Sequence, residues 1–135
     1  SILSGIPKKL PIILKAQRAQ DKASSVGFDW NSINSVKSKL KEEIKELNVE
    51  VNGKNKDKIE DEFGDVLFTL INYSRFLKID PELSLKKSTE KFIGRFKILE
   101  EIMRNKKQKI CHLDKNELEI IWEESKEIYK SNKMT

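Results

Sequence analysis

The sequence predicts an all-α protein, a bundle of four or five helices, and three observations carry that expectation. Apolar residues recur every three or four positions almost throughout, the spacing of amphipathic helices. Helix breakers are sparse, with 5 Gly and 3 Pro in 135 residues. Charged residues make up 36% and hydrophobic ones 37%, which suits helices with solvated outer faces. No stretch alternates in the manner of a strand. The length suits one domain over 1–135, large enough to bury a core without staples.

Residues 1–10 read as irregular around Gly5 and Pro7. From Pro11, the run Ile12, Ile13, Ala16, Ala19 and Ala23 makes a first helix ending near Gly27. Phe28-Asp29-Trp30-Asn31 is a loop, with Trp30 read as packing and Asn31 or Ser32 as N-cap. The second helix spans Ile33 to Val51 along Val36, Leu40, Ile44, Leu47 and Val51, with Asn52-Gly53 as its stop. The third runs from about Lys56 to Lys78 on a stripe of Ile59, Phe63, Val66, Leu67, Leu70, Ser74 and Leu77. Phe68 and Ile71 leave that stripe, so this helix is apolar on two sides, which points to a homodimer. Asp80-Pro81 caps a fourth helix to about Asn105, with Leu85, Phe92, Phe96, Leu99 and Met103 inward. After the polar stretch Lys106 to Lys109, Asp114 begins a last helix with Glu117 in a capping box. Leu118, Ile121, Trp122 and Tyr129 run along it.

Composition excludes several classes. The single cysteine, Cys111, makes no intrachain disulfide, and Cys111-His112 lacks partners for a zinc site. No apolar run approaches a membrane span and the N-terminus lacks a signal-peptide layout, so a cytoplasmic protein is expected. The net charge of +5 suits nucleic acid, an anionic membrane or a phosphorylated small molecule, with a merely lysine-rich composition as the alternative reading. The lysines are scattered among acids rather than gathered in a stripe, which makes nucleic acid an unlikely partner.

The chemistry lies in the acids. Glu43 and Glu46 are three apart on the second helix, with Glu43 beside Leu40 and Leu47 on the border of the apolar stripe and Glu42 further round. Glu62 and Asp65 repeat the spacing on the third helix, while Glu60 lies on the other flank. If the helices fold back through their short turn, Glu43, Glu46, Glu62 and Asp65 converge. Such carboxylates raise one another's pKa, and a hard divalent cation relieves the repulsion. Magnesium takes oxygen ligands and binds phosphates, so the expected chemistry is attack of metal-activated water on a phosphoanhydride. A solvated acidic face paired with lysines is the alternative reading of either helix alone.

Glu42-Glu43-x-x-Glu46 followed by Glu62-x-x-Asp65 resembles the metal motif of the all-α nucleotide pyrophosphohydrolases. The chain is similar, more specifically, to the C-terminal type of domain in the MazG family. Supporting segments are Leu10-Pro11 through Lys15-Ala16-Gln17, Val26-Gly27-Phe28-Asp29-Trp30, and Phe63-Gly64-Asp65-Val66-Leu67-Phe68. Lys91-Phe92 with Arg95-Phe96, and Trp122-Glu123-Glu124-Ser125-Lys126, complete the set.

The resemblance implies magnesium-dependent hydrolysis of nucleoside triphosphates to monophosphate and pyrophosphate. It makes Glu43, Glu46, Glu62 and Asp65 metal ligands, with Glu42 and Glu43 catalytic and Glu42 a ligand or nearby base. It also implies that Lys39, Lys58, Lys91 and Arg95 contact the nucleotide and that Trp122 meets the base or ribose. Basic side chains suit polyphosphate, and Lys91 and Arg95 are i,i+4 neighbours. Two departures stand out: Thr89 replaces the usual Asn, and Ile93-Gly94 replaces charged residues. A non-catalytic magnesium–nucleotide-binding regulatory module is the competing expectation.

Overall fold

The computed structural model describes all 135 residues as five α-helices and one short 3-10 turn, with no strand. The helices are α1 (Ile12–Ser25), α2 (Ile33–Gly53), α3 (Lys56–Phe76), α4 (Pro81–Asn105) and α5 (Lys115–Lys133), with the 3-10 turn at Ile110–His112. The chain divides into two compact units, Ser1–Ser84 and Leu85–Thr135.

The expected start signals operate. Ser32 is the N-cap of α2, its Oγ accepting from the Ser35 N–H at 3.2 Å. Asp80 Oδ1 accepts from the Glu82 N–H at 2.9 Å and the Leu83 N–H at 3.3 Å at the start of α4. Asp114 and Glu117 form the capping box of α5. The fourth helix stops at Asn105 as expected, but the stop of α2 differs from expectation. Helix α2 runs through Gly53, and Lys54 takes the left-handed conformation instead, with φ 59°. Lys78 and Lys107 do the same after α3 and α4, with φ 58° and 54°. Three lysines therefore stand where glycine is preferred. At each, the left-handed residue's N–H bonds back into the last helical turn.

In the first unit, α2 and α3 are joined by only Lys54 and Asn55 and pack along one another, while α1 packs on α3. Val36 is fully buried there. Gln20 of α1 donates from Nε2 to the Phe68 carbonyl at 2.9 Å, tying α1 to α3. Arg75 near the end of α3 closes a second tie. Its Nε donates to Asp21 at 2.9 Å, and its two Nη atoms fork onto Asp29 at 3.2 and 3.0 Å.

Of the apolar stripe expected to bury α3, Ser74 is buried and Ile59 and Val66 are half-buried, but the rest is not covered within this chain. Phe63, Leu67 and Leu70 are 54%, 48% and 49% exposed. The face that packs instead carries Glu62, Val66, Thr69 and Tyr73, because α2 and α1 occupy that side. In the second unit, Leu99, Met103 and Ile121 form the core, with Ile110, Leu118 and Trp122 packed against it. Leu85 and Phe92, expected inward on α4, are more than half exposed.

Candidate metal centre

The pairing of α2 with α3 brings three of the predicted acids together. Glu43 from α2 and Glu62 and Asp65 from α3 each present a carboxylate oxygen, all within 4.8 Å of one another. The cause is the spacing. Glu43 lies on the border of the buried stripe of α2, and Glu62 and Asp65 share one flank of α3. Glu43 is buried, Glu62 half-buried and Asp65 exposed, so the cluster opens to solvent on one side.

Glu46 stands just outside this set and is exposed. Its carboxyl is nevertheless held above the ordinary range, by partial burial first and then by the negative charges of Glu43 and Glu62. Glu62 is likewise pushed up, first by desolvation and then by Asp65 and Glu43. Asp65 is raised by desolvation, then by Asp61 and Glu43, with Lys39 pulling the other way. Asp61 was not singled out from the sequence. Its i,i+4 relation to Asp65 is the signal that marks it.

One cation offsets the cluster. Lys39 Nζ lies 3.0 Å from Glu43 Oε1 and 3.6 Å from Glu42. The hydrogen bond to Glu43 is the chief reason the Lys39 ammonium is stabilised. Yet Oε2 of Glu43 and Oε2 of Glu62 are both shielded from water with no hydrogen-bond donor. Two orphaned carboxylate oxygens beside a third carboxylate form a hard, anionic, oxygen-only donor set. That set fits a divalent cation of the magnesium type.

The remaining predicted residues are placed as follows. Glu42 is 56% exposed and, with Trp30, Ser35, Ser38 and Lys39, lines an open cavity of about 490 Å³. Trp30 is 39% exposed, so it is less packed than its sequence reading held. Lys58 is exposed in the first turn of α3, one turn before Glu62. In the second unit, Lys91 is exposed and Arg95 is half-buried. Trp122 packs on the core, with its ring 5.6 Å from Phe92.

Helices that carry a two-helix carboxylate cluster, with shielded oxygens left for a cation, define an all-α protein with a candidate divalent-metal centre. Residues 31–99 match the MazG nucleotide pyrophosphohydrolase domain, and the chain belongs to that family. The chain is also similar to the nucleoside triphosphate pyrophosphohydrolase/pyrophosphatase MazG of Thermotoga maritima. That relative is 42% identical over 117 residues, covering 87% of this chain and 45% of the relative. A nucleoside triphosphate pyrophosphohydrolase of Escherichia coli K12 is 36% identical over 128 residues, covering 93% of this chain and 49% of the relative. The chain thus spans about half the length of these relatives.

Proposed function

We propose that this chain hydrolyses nucleoside triphosphates to nucleoside monophosphate and pyrophosphate with magnesium. The observation that carries the reading is the Glu43–Glu62–Asp65 cluster, with its two donorless shielded oxygens. Both relatives are named as nucleoside triphosphate pyrophosphohydrolases, which supports the same chemistry.

In this reading Glu43, Glu62 and Asp65 hold the magnesium ion, with Glu46 completing the set from one turn further along α2. The ion supplies charge neutralisation and Lewis-acid polarisation at the phosphate oxygens. Glu42, exposed beside the open cavity, accepts the proton of the attacking water. Glu43 serves both as ligand and as the acceptor of the Lys39 hydrogen bond, which fixes its carboxylate. Lys39 and Lys58 in the first unit, and Lys91 and Arg95 in the second, are the proposed phosphate contacts, and Trp122 the proposed contact for base or ribose. The chain acts as a homodimer, which gives the exposed Phe63, Leu67 and Leu70 face of α3 a partner. A cytoplasmic setting suits its one exposed free thiol, Cys111.

The test is a panel of nucleoside triphosphates with magnesium, products separated by ion-exchange chromatography. Monophosphate and pyrophosphate, with no orthophosphate, are expected. Glu43→Gln and Asp65→Asn should each abolish turnover while far-UV circular dichroism stays helical. Full activity in both variants would sink the site. Nucleotide binding without turnover by the unaltered chain would favour a regulatory module.

A further inference from the structure

The departure at Gly94 has a physical cause within the second unit. Gly94 lies in the interior of α4, where glycine is a poor helix former. Its φ is not positive, so no turn or cap requires it. A Cβ at this position would lie 2.6 Å from Cε2 and 3.1 Å from Cδ2 of Tyr129. The tyrosine ring therefore rests on the bare backbone of α4, and only glycine admits it at that distance.

The same ring gathers two cations. The Arg95 guanidinium carbon is 5.7 Å from the ring centroid, and Lys133 Nζ, one turn beyond Tyr129 on α5, is 5.4 Å from it. Both distances are within cation–π reach. Neither cation has a carboxylate within ion-pair distance. Nε of Arg95 is shielded from water and bonds to nothing. Two like charges held at one ring, with no anion between them, form a group that accepts an anion. A guanidinium fork matches phosphate geometry.

We infer that Tyr129, admitted by Gly94, is a positioning residue that holds Arg95, with Lys133 beside it, for a phosphate group of the nucleotide. The inference rests on the reading of Arg95 as a nucleotide contact. It assigns Lys133 as a further phosphate ligand. The ring face does the holding, since the Tyr129 hydroxyl is not needed for either cation contact. The glycine and the tyrosine thus act as a pair: a side chain at 94 displaces the ring, and loss of the ring frees the guanidinium.

The test compares Gly94→Ala, Tyr129→Ala, Tyr129→Phe, the double variant Gly94→Ala/Tyr129→Ala, and Arg95→Ala. KM and kcat are measured for a nucleoside triphosphate with magnesium. Affinity for inorganic triphosphate is measured by titration calorimetry, with circular dichroism and melting as fold checks. Gly94→Ala and Tyr129→Ala should each raise KM roughly fivefold and weaken triphosphate binding by the same factor, with kcat little changed. The double variant should be no worse than Tyr129→Ala, because the added methyl has no ring to strike. Tyr129→Phe should keep the unaltered KM. An unchanged KM in folded Tyr129→Ala, or Tyr129→Phe as impaired as Tyr129→Ala, overturns the inference. If Arg95→Ala leaves KM and triphosphate affinity untouched while Glu43→Gln abolishes turnover, the inference falls and the pyrophosphohydrolase reading stands. If the unaltered chain releases no pyrophosphate, that reading falls, and the triphosphate affinities still decide this one.

Discussion

Arg75→Ala should destabilise the protein by about 2–3 kcal/mol, and the structure shows how that figure divides. The Arg75 side chain is 13% exposed and makes three hydrogen bonds to carboxylates and a fourth, from Nη1, to Asn72 Oδ1 on its own helix. The arm to Asp21 ends on a carboxylate that is 55% exposed, so it adds only a few tenths of a kcal/mol. The fork onto Asp29, which is 25% exposed, carries most of the effect. The loss stays below the roughly 3–5 kcal/mol of a broken buried pair because Asp29 keeps other donors. Ser24 Oγ and the Trp30 N–H each remain at 2.8 Å. Urea denaturation at neutral pH, followed by tryptophan emission in a Trp122→Phe background, reads the loop directly, since Trp30 adjoins Asp29. The Arg75→Ala/Asp29→Asn double cycle should show coupling above about 1 kcal/mol.

The pH dependence of that coupling follows from Asp29. Hydrogen bonds from Arg75, ahead of those from Ser24 and the Trp30 N–H, hold its carboxyl below the ordinary aspartate range, against the opposing effect of burial. A lowered carboxyl contributes stability that is complete above its unfolded pKa and is lost as pH falls through the folded one. The difference between the unaltered and variant chains should therefore be flat between about pH 5 and pH 8 and shrink only in stronger acid. A total loss under about 0.5 kcal/mol, or an additive cycle, would refute the clamp.

Other outcomes follow from the same structure. Saturating magnesium should raise the melting temperature, by about 2.7 kcal/mol of linkage at a hundredfold excess over Kd, and Glu43→Gln should remove the rise. Without a divalent cation, stability should increase as pH is lowered toward the carboxylate range. Glu46, Glu62 and Asp65 are all raised, so the folded state binds more protons there than the unfolded chain, and saturating magnesium should flatten the trend. Lys78→Gly and Lys107→Gly should each stabilise by roughly 0.5–1 kcal/mol in urea melts, by relieving a left-handed lysine. Leu99→Ala, at a site 2% exposed, should cost about 3 kcal/mol, and a loss under 1 kcal/mol would mean that the core lies elsewhere.

The starts of the helices were legible because capping is local. Ser32, Asp80 and Asp114 each satisfy N–H groups two or three residues away, and no distant residue has to cooperate. The stop of α2 was less legible. Gly53 looked like a terminator but is helical, because a lysine one position later could take the left-handed turn once the next helix had packed back. Arg75 has one local partner, Asn72 three residues back, but its ion-pair partners Asp21 and Asp29 lie 54 and 46 residues away and left no local signal.

For the acids, helical periodicity alone put Glu43 on a core border and Glu62 with Asp65 on one flank, since angular position on a helix depends only on residue spacing. Periodicity likewise showed that α3 is apolar on two sides. Which side packs within the chain, which oxygens lose their water, and why Gly94 lies under Tyr129 depend on residues far apart in sequence. Those were decided only by the tertiary structure, because burial and hydrogen-bond loss are properties of the neighbours a fold brings in and not of the segment itself.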